Sequence, residues 1–238
     1  QADAHDSANT LQSFYFTGAE YTNINRTHSV VAELNSSLDS RLWMNNTARI
    51  GYTRLKDGRT TPKSLPAVII YGLGENGNGS ATIGTNPYSG RNILKQDVFI
   101  INDDVTINRG KHTIIFGTSN EIYRADNLYM ANARGTYTYN NLDDFLADNA
   151  SKYQYGYFAD GKQNPPMTTG QFAVYAQDEV YLAGDGKFTA GLRIAIPVMF
   201  DTPQINEAFN DSTFGKYGKT GEIPRTQLLL SPRVGWEQ

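Results

Sequence analysis

From Lys187 to Ile196 the chain alternates with period two: Phe188, Ala190, Leu192, Ile194 and Ile196 fall on one side, and Lys187, Thr189, Gly191, Arg193 and Ala195 on the other. An extended strand sends successive side chains to opposite faces, so this order sorts into one greasy face and one wet face. The run before it repeats the pattern, with Phe172, Val174, Ala176, Val180 and Leu182 set against Gln171, Tyr175, Gln177, Glu179 and Tyr181. Ala183-Gly184-Asp185-Gly186 between them has tight-turn composition, and the two runs read as a hairpin.

A second hairpin is expected from Asp97 to Asn108 and Lys111 to Tyr123, joined at Arg109-Gly110. Further strands are expected at Leu11 to Asn23, Thr27 to Leu38, Ser40 to Leu55, Pro66 to Leu73, Lys152 to Phe158 and Thr226 to Trp236. Several reach the roughly 9–11 residues a tilted strand needs to cross a bilayer, where sandwich strands average about 5–6. Short turns at Ser37 to Ser40, Arg109-Gly110 and Ala183 to Gly186 alternate with long polar excursions: Lys56 to Pro66, Gly74 to Asn92, Arg124 to Ser151, Ala159 to Thr169 and Asp201 to Arg225. Outer-membrane barrels carry this asymmetry, with short turns at one end and long loops at the other. Inside one loop, Asn141 followed by Leu142, Phe145 and Leu146 predicts a short capped helix ending near Ala147.

Composition agrees. Hydrophobic residues make up 39% and charged residues 19%, both low for a soluble domain, and the balance is neutral polar residues, Gly and Tyr that favour strands and turns. A net charge of −3 without a basic run argues against a nucleic-acid partner. The absence of Cys excludes disulfides, thiolate metal sites and a Cys nucleophile. No stretch approaches the roughly 20 apolar residues of a transmembrane helix, so a membrane-spanning form of this chain has to be a barrel. The expected fold is an all-β antiparallel meander of about 8–12 long strands, part of a large transmembrane β-barrel, with a short loop helix.

The chemical motifs are weak. Gly72-Leu73-Gly74-Glu75-Asn76-Gly77 matches GxGxxG after an apolar run, but Asn78-Gly79-Ser80 follows where a dinucleotide site needs a helix. A glycine-rich loop is the expected reading. Asp103-Asp104 is a candidate loop Ca²⁺ site or a pair of solvated carboxylates, and Asp178 and Glu179 should point to opposite faces of their strand. His5, His28 and His112 lie far apart, with no HExxH or GxSxG, so no enzyme and no cofactor are expected. Tyr153, Tyr155 and Tyr157 should share one strand face, either in an interfacial aromatic girdle or as a stacking platform for a sugar or peptide.

Longer wording narrows the family. Gly110-Lys111-His112-Thr113-Ile114-Ile115-Phe116-Gly117-Thr118-Ser119-Asn120-Glu121, then Asn140-Asn141-Leu142-Asp143-Asp144-Phe145-Leu146, then Val174-Tyr175-Ala176-Gln177-Asp178-Glu179, resembles the mid-barrel of TonB-dependent outer-membrane receptors, with Oar-like and SusC-like proteins of Bacteroidetes nearest in wording. Gly191-Leu192-Arg193 and Leu230-Ser231-Pro232-Arg233-Val234-Gly235-Trp236 follow in the order such barrels show. The resemblance implies a plugged barrel of about 22 strands that imports nutrients, driven by the TonB system, assisted by a surface lipoprotein and seated in outer-membrane lipid. It identifies no ligand residue. On this reading residues 1–238 are a single barrel segment without the plug domain or the C-terminal strands, supplying wall and outer loops. The alternative is a soluble secreted β-sandwich or adhesin-like glycan-binding module, and what covers Phe188, Leu192 and Ile194 separates the two.

Overall fold

The computed structural model describes residues 13–39, 43–158, 165–213, 216 and 218–238. The first residues of the expected strand at Leu11, the turn residue Ser40 and part of the expected loop after Phe158 lie outside the described residues. Twelve strands and two short helices are described, in the order β1 (Ser13–Tyr15), β2 (Thr22–Asp39), β3 (Met44–Thr60), β4 (Ala67–Leu73), β5 (Gly79–Ile83), β6 (Asn92–Arg109), β7 (His112–Tyr129), β8 (Thr136–Tyr139), α1 (Leu142–Leu146), β9 (Lys152–Gln154), β10 (Met167–Tyr181), β11 (Lys187–Met199), α2 (Glu207–Ser212) and β12 (Leu229–Glu237). Among the described residues no helix is long and apolar enough to cross a membrane.

The chain divides into two compact units, with boundaries that fall inside β2, β3, β6 and β7 and just before β10. One unit contains residues 28–54, 96–125 and 166–238 and is built on a seven-stranded sheet in the order β12-β11-β10-β7-β6-β3-β2. Both expected hairpins are present. β10 and β11 pair antiparallel from Thr169↔Met199 to Tyr181↔Lys187, closed by the Leu182 N–H donating to the Gly186 carbonyl at 2.7 Å. Gly184 and Asp185 have φ of +81° and +64°, which explains the Gly-Asp turn composition. β6 and β7 turn at Gly110, φ +59°, and are 18 residues each, longer than the alternation alone marks.

Register turns alternation into two distinct faces. Phe116, Val174, Leu192, Ile196, Leu230, Val234 and Trp236 are all exposed on one of them. The opposite face of the same strands carries Tyr175, Gln177, Arg193, Ser231 and Arg233. Fully buried residues are few in this sheet, chiefly Ala173, Thr189 and Ala195, because neither face closes on a packed interior. Acidic groups fall on the greasy face too, Asp178 among them. Asp178 is answered there by His112, whose Nδ1 lies 2.7 Å from its Oδ2, while Glu179 on the other face accepts from Gln177 at 3.0 Å.

The other unit, residues 1–27, 55–95 and 126–165, holds a five-stranded sheet in the order β1-β5-β4-β8-β9. This corrects the expectation of polar loops between long strands: the stretches from Gly74 to Asn92 and Arg124 to Ser151 contain the strands β5 and β8 beside the expected helix α1. It also qualifies the antiparallel meander, since β1 pairs with β5 and β4 with β8 in parallel. Here lies a small core, with Ala67, Ile70, Ala81, Thr85, Ser89, Thr136 and Tyr139 all buried. The buried hydroxyls are satisfied: Thr85 Oγ1 accepts from the Leu65 N–H at 3.1 Å and donates to the Lys63 carbonyl at 2.8 Å. α1 is capped as expected, the Asn141 side chain accepting from the Asp144 N–H at 2.7 Å.

Three smaller expectations need correction. Among the described residues, the strand expected from Leu11 to Asn23 is confined to Ser13–Tyr15, and β2 begins at Thr22. The strand expected to reach Phe158 stops at Gln154. Within the connection after β11, the polar stretch contains α2, whose N-cap Asn206 accepts from the Phe209 N–H at 3.0 Å and whose Asn210 exchanges hydrogen bonds with Thr220.

Candidate functional site

The glycine-rich motif resolves first. Gly72, Gly74 and Gly77 have φ of +68°, +81° and +67° and join β4 to β5, with the register shifting between Ile70 and Leu73. A strand follows them, so the backbone N–H groups needed to cradle a pyrophosphate at a helix start are not assembled. These glycines make a bulged hairpin where a glycine-rich loop was expected.

Asp103 and Asp104 do not form a loop site: they lie in the middle of β6 and, as neighbours in a strand, face opposite ways. Asp103 accepts from Asn46 Nδ2 at 2.5 Å, and Asp104 from the Tyr175 hydroxyl. Among the described residues no group of three or more His, Asp or Glu side chains converges to hold a metal ion.

The tyrosines split. Tyr153 lies in β9 with its ring tilted against Tyr137, centroids 4.6 Å apart. Tyr155 and Tyr157 follow the end of the strand, yet their rings stack at 6.4 Å with an interplanar angle of 14°, and both are exposed. A two-ring ledge replaces the expected row of three.

Sequence reasoning missed the site that register assembles on the polar face of the seven-stranded sheet. A cavity of about 410 Å³ opens there, lined among others by Arg49, Asp104, Tyr175, Gln177, Arg193 and Arg233. Tyr175 reaches over Gly117, its register partner on β7, to Asp104 on β6. A Cβ at Gly117 would collide with both the Asp104 carboxylate and the Tyr175 ring, so only glycine leaves the path open. Arg193 stands over the same ring at 5.9 Å, and Arg233 donates to Gln177 Oε1 at 3.2 Å. On β2 and β3 the ladder continues, with Arg49 bridged to Glu33 at 2.5 Å, Thr47 donating to Asn35 at 2.7 Å and Ser29 bonded to Thr53 at 2.9 Å. Period-two alternation was the available signal, but it marks a polar face without saying which strands stand side by side.

A sheet of long strands with one exposed apolar face and one hydrogen-bonded polar face is the wall of a membrane-spanning β-barrel, in which the first meets lipid and the second meets the lumen. The model of the outer membrane beta barrel domain family matches residues 2–230, and the chain belongs to that family. Its place is therefore the outer membrane. No curated protein and no solved structure matches the chain. Of the residues that separate a barrel from a closed sandwich, Phe188 and Leu192 stay exposed and Ile194 is half-buried, and none of the three enters a closed interior.

Proposed function

We propose that this chain supplies wall and loop sheet to a TonB-dependent receptor that imports a nutrient across the outer membrane, working with the TonB system and a surface lipoprotein and doing no covalent chemistry of its own. The observation that carries this reading is where the family-like wording comes together. Gly117, Tyr175, Gln177, Arg193 and Arg233 come from four separate stretches that resemble such receptors, and register gathers them on one polar face. A face so furnished with guanidinium, carboxylate and amide groups suits a lumen filled by a polar plug. The exposed Tyr155–Tyr157 ledge suits a sugar or peptide ligand.

The test is uptake by the full-length protein in its own outer membrane. Candidate nutrients are offered to cells with and without a working TonB, and to cells whose receptor lacks its plug. Uptake of at least one nutrient should fall to background in both altered strains. If uptake of every nutrient is indifferent to both changes, the transport reading fails.

A further inference from the structure

The apolar face of the seven-stranded sheet changes character across its width. Thr118 on β7 stands level with Val174, Ile194 and Leu230 on β10, β11 and β12, and those three keep their half of the face greasy. Toward β2 the same depth turns polar. Asp104 points to the polar face, so its neighbour Asp103 points to the apolar one, midway along β6 between Asp97 and Arg109. Asp97 marks one edge of the lipid band, answered by the Tyr52 hydroxyl at 2.5 Å and by Arg54 at 3.6 Å, and Arg109 with His112 marks the other. Between those edges the remaining residues on this side of β6 are Phe99, Ile101, Val105 and Ile107.

A carboxyl group halfway across a lipid-facing wall is costly unless protein covers it. Asn46 Nδ2 donates to Asp103 Oδ1 at 2.5 Å and to the Asp104 carbonyl at 3.1 Å, which uses both amide hydrogens. Among the described residues Asp103 Oδ2 is left without a donor. Ser36 on β2 lies beside Asn46, as the 2.7 Å bond between their neighbours Thr47 and Asn35 shows, and its hydroxyl has no hydrogen-bond partner in the chain. One open acceptor and one open donor therefore flank β3 on the apolar face. The side chains around them are small, Ala32 on β2 and Ala48 on β3, and small residues let a second backbone come close within a membrane.

We infer that the β2–β3–β6 part of the apolar face docks a second copy of this protein inside the membrane, about a two-fold axis parallel to the membrane normal and passing by β3. Copies inserted in the same direction hold each residue at the same depth, and with β3 central the β2 strand of one copy meets β6 of the other. Ser36 of each copy then approaches Asp103 of the other from the depth at which Asn46 already bonds it, and its hydroxyl donates to the open Oδ2. Two such bonds, related by the axis, take both open groups out of lipid. The second copy supplies its donor at the required depth by symmetry alone. The pairing goes beyond the import reading and does not rest on it.

The experiment is pulsed dipolar spectroscopy on the full-length protein in lipid vesicles, spin-labelled singly at Lys111→Cys, in the turn after β6, or at Glu237→Cys, at the end of β12. Both sites lie off the docking stripe, and added lipid dilutes the protein until pairs separate. Lys111 labels should show a shorter pair distance than Glu237 labels, because β12 is the sheet edge farthest from β2. In the Lys111→Cys background, Ser36→Ala and Asp103→Leu should each separate after about tenfold less dilution, a loss of about tenfold in affinity. Asp103→Asn, whose amide still bonds a hydroxyl, should pair as the parent does. Ser36→Ala removes a hydroxyl with no partner in the chain, so it decides the matter even where Asp103→Leu fails to fold. No pair signal at any density, a Glu237 distance shorter than the Lys111 distance, or pairing indifferent to Ser36→Ala overturns the inference. TonB-dependent uptake without pairing counts against this interface alone; pairing without such uptake counts against transport alone.

Discussion

Tyr175 and Asp104 are hydrogen-bonded although a whole strand stands between them, and Gly117 is the gap through which they meet. The phenol lies across β7, covers backbone that glycine leaves bare, and ties β10 to β6 on the polar face. Such covering of a strand glycine by an aromatic ring also pins register, because a slip of one residue would carry Tyr175 to the apolar side.

Gly117→Ala should therefore destabilise the wall by about 1–3 kcal/mol, since the new methyl displaces either the ring or the carboxylate. Tyr175→Phe keeps the cover and loses the hydroxyl, and should cost about 1 kcal/mol. Urea unfolding of the protein in micelles reads both. Equal losses for the two variants would mean that covering Gly117 contributes nothing beyond the hydrogen bond.

The two faces should tolerate charge very differently. Leu192 is exposed near the middle of β11, opposite Ala176 and Pro232, and Leu192→Arg should cost about 2–4 kcal/mol in a bilayer. Ser231→Arg, on the polar face beside Arg193, should cost under about 1 kcal/mol. Folding titrations into lipid vesicles distinguish them, and a reversed order would exchange lipid face for lumen face.

The loop sheet has its own pH signature. Burial, reinforced by the hydrogen bond from its hydroxyl to Asp148 at 3.2 Å, raises the Tyr139 phenol above its ordinary value of 10.0. The folded state thus favours the neutral phenol. Its contribution to stability is complete below pH 10.0 and disappears as pH rises through the raised value. Hydrogen exchange in β8 followed against pH should show opening in that alkaline window, and Tyr139→Phe should move the onset. An unchanged onset would remove Tyr139 as the cause.

Much of the wall is legible in the sequence, because a face that meets lipid and a face that meets water impose alternation residue by residue, as Phe188 to Ile196 shows. The loop sheet is legible only in part: β4, the start of β9 and α1 are marked in the sequence, and β5 and β8 are not. β5 and β8 are five and four residues long, and their Gly, Ser, Ala and Thr positions are buried by neighbours far away in the chain, so no local period marks them. Their parallel pairings with β1 and β4 leave no turn signature either. The same limit hid the Tyr175–Asp104 bond, which joins residues 71 apart in sequence through a register that only the assembled sheet defines. The platform expected at Tyr153, Tyr155 and Tyr157 lost its third member because pairing with β8 ends at Gln154, and the chain leaves the sheet there.

The account rests on the sidedness of the seven-stranded sheet, and the absence of Cys makes that directly measurable. Single cysteines at Val174, Leu192 and Leu230 on one face, and at Gln177, Ser119 and Ser231 on the other, can be spin-labelled in the full-length protein in lipid vesicles. Collisions with oxygen, which concentrates in lipid, and with a water-soluble nickel complex are then compared. Labels of the first set should collide mainly with oxygen and those of the second mainly with nickel. Nickel-dominated collisions at all six positions would contradict a membrane wall.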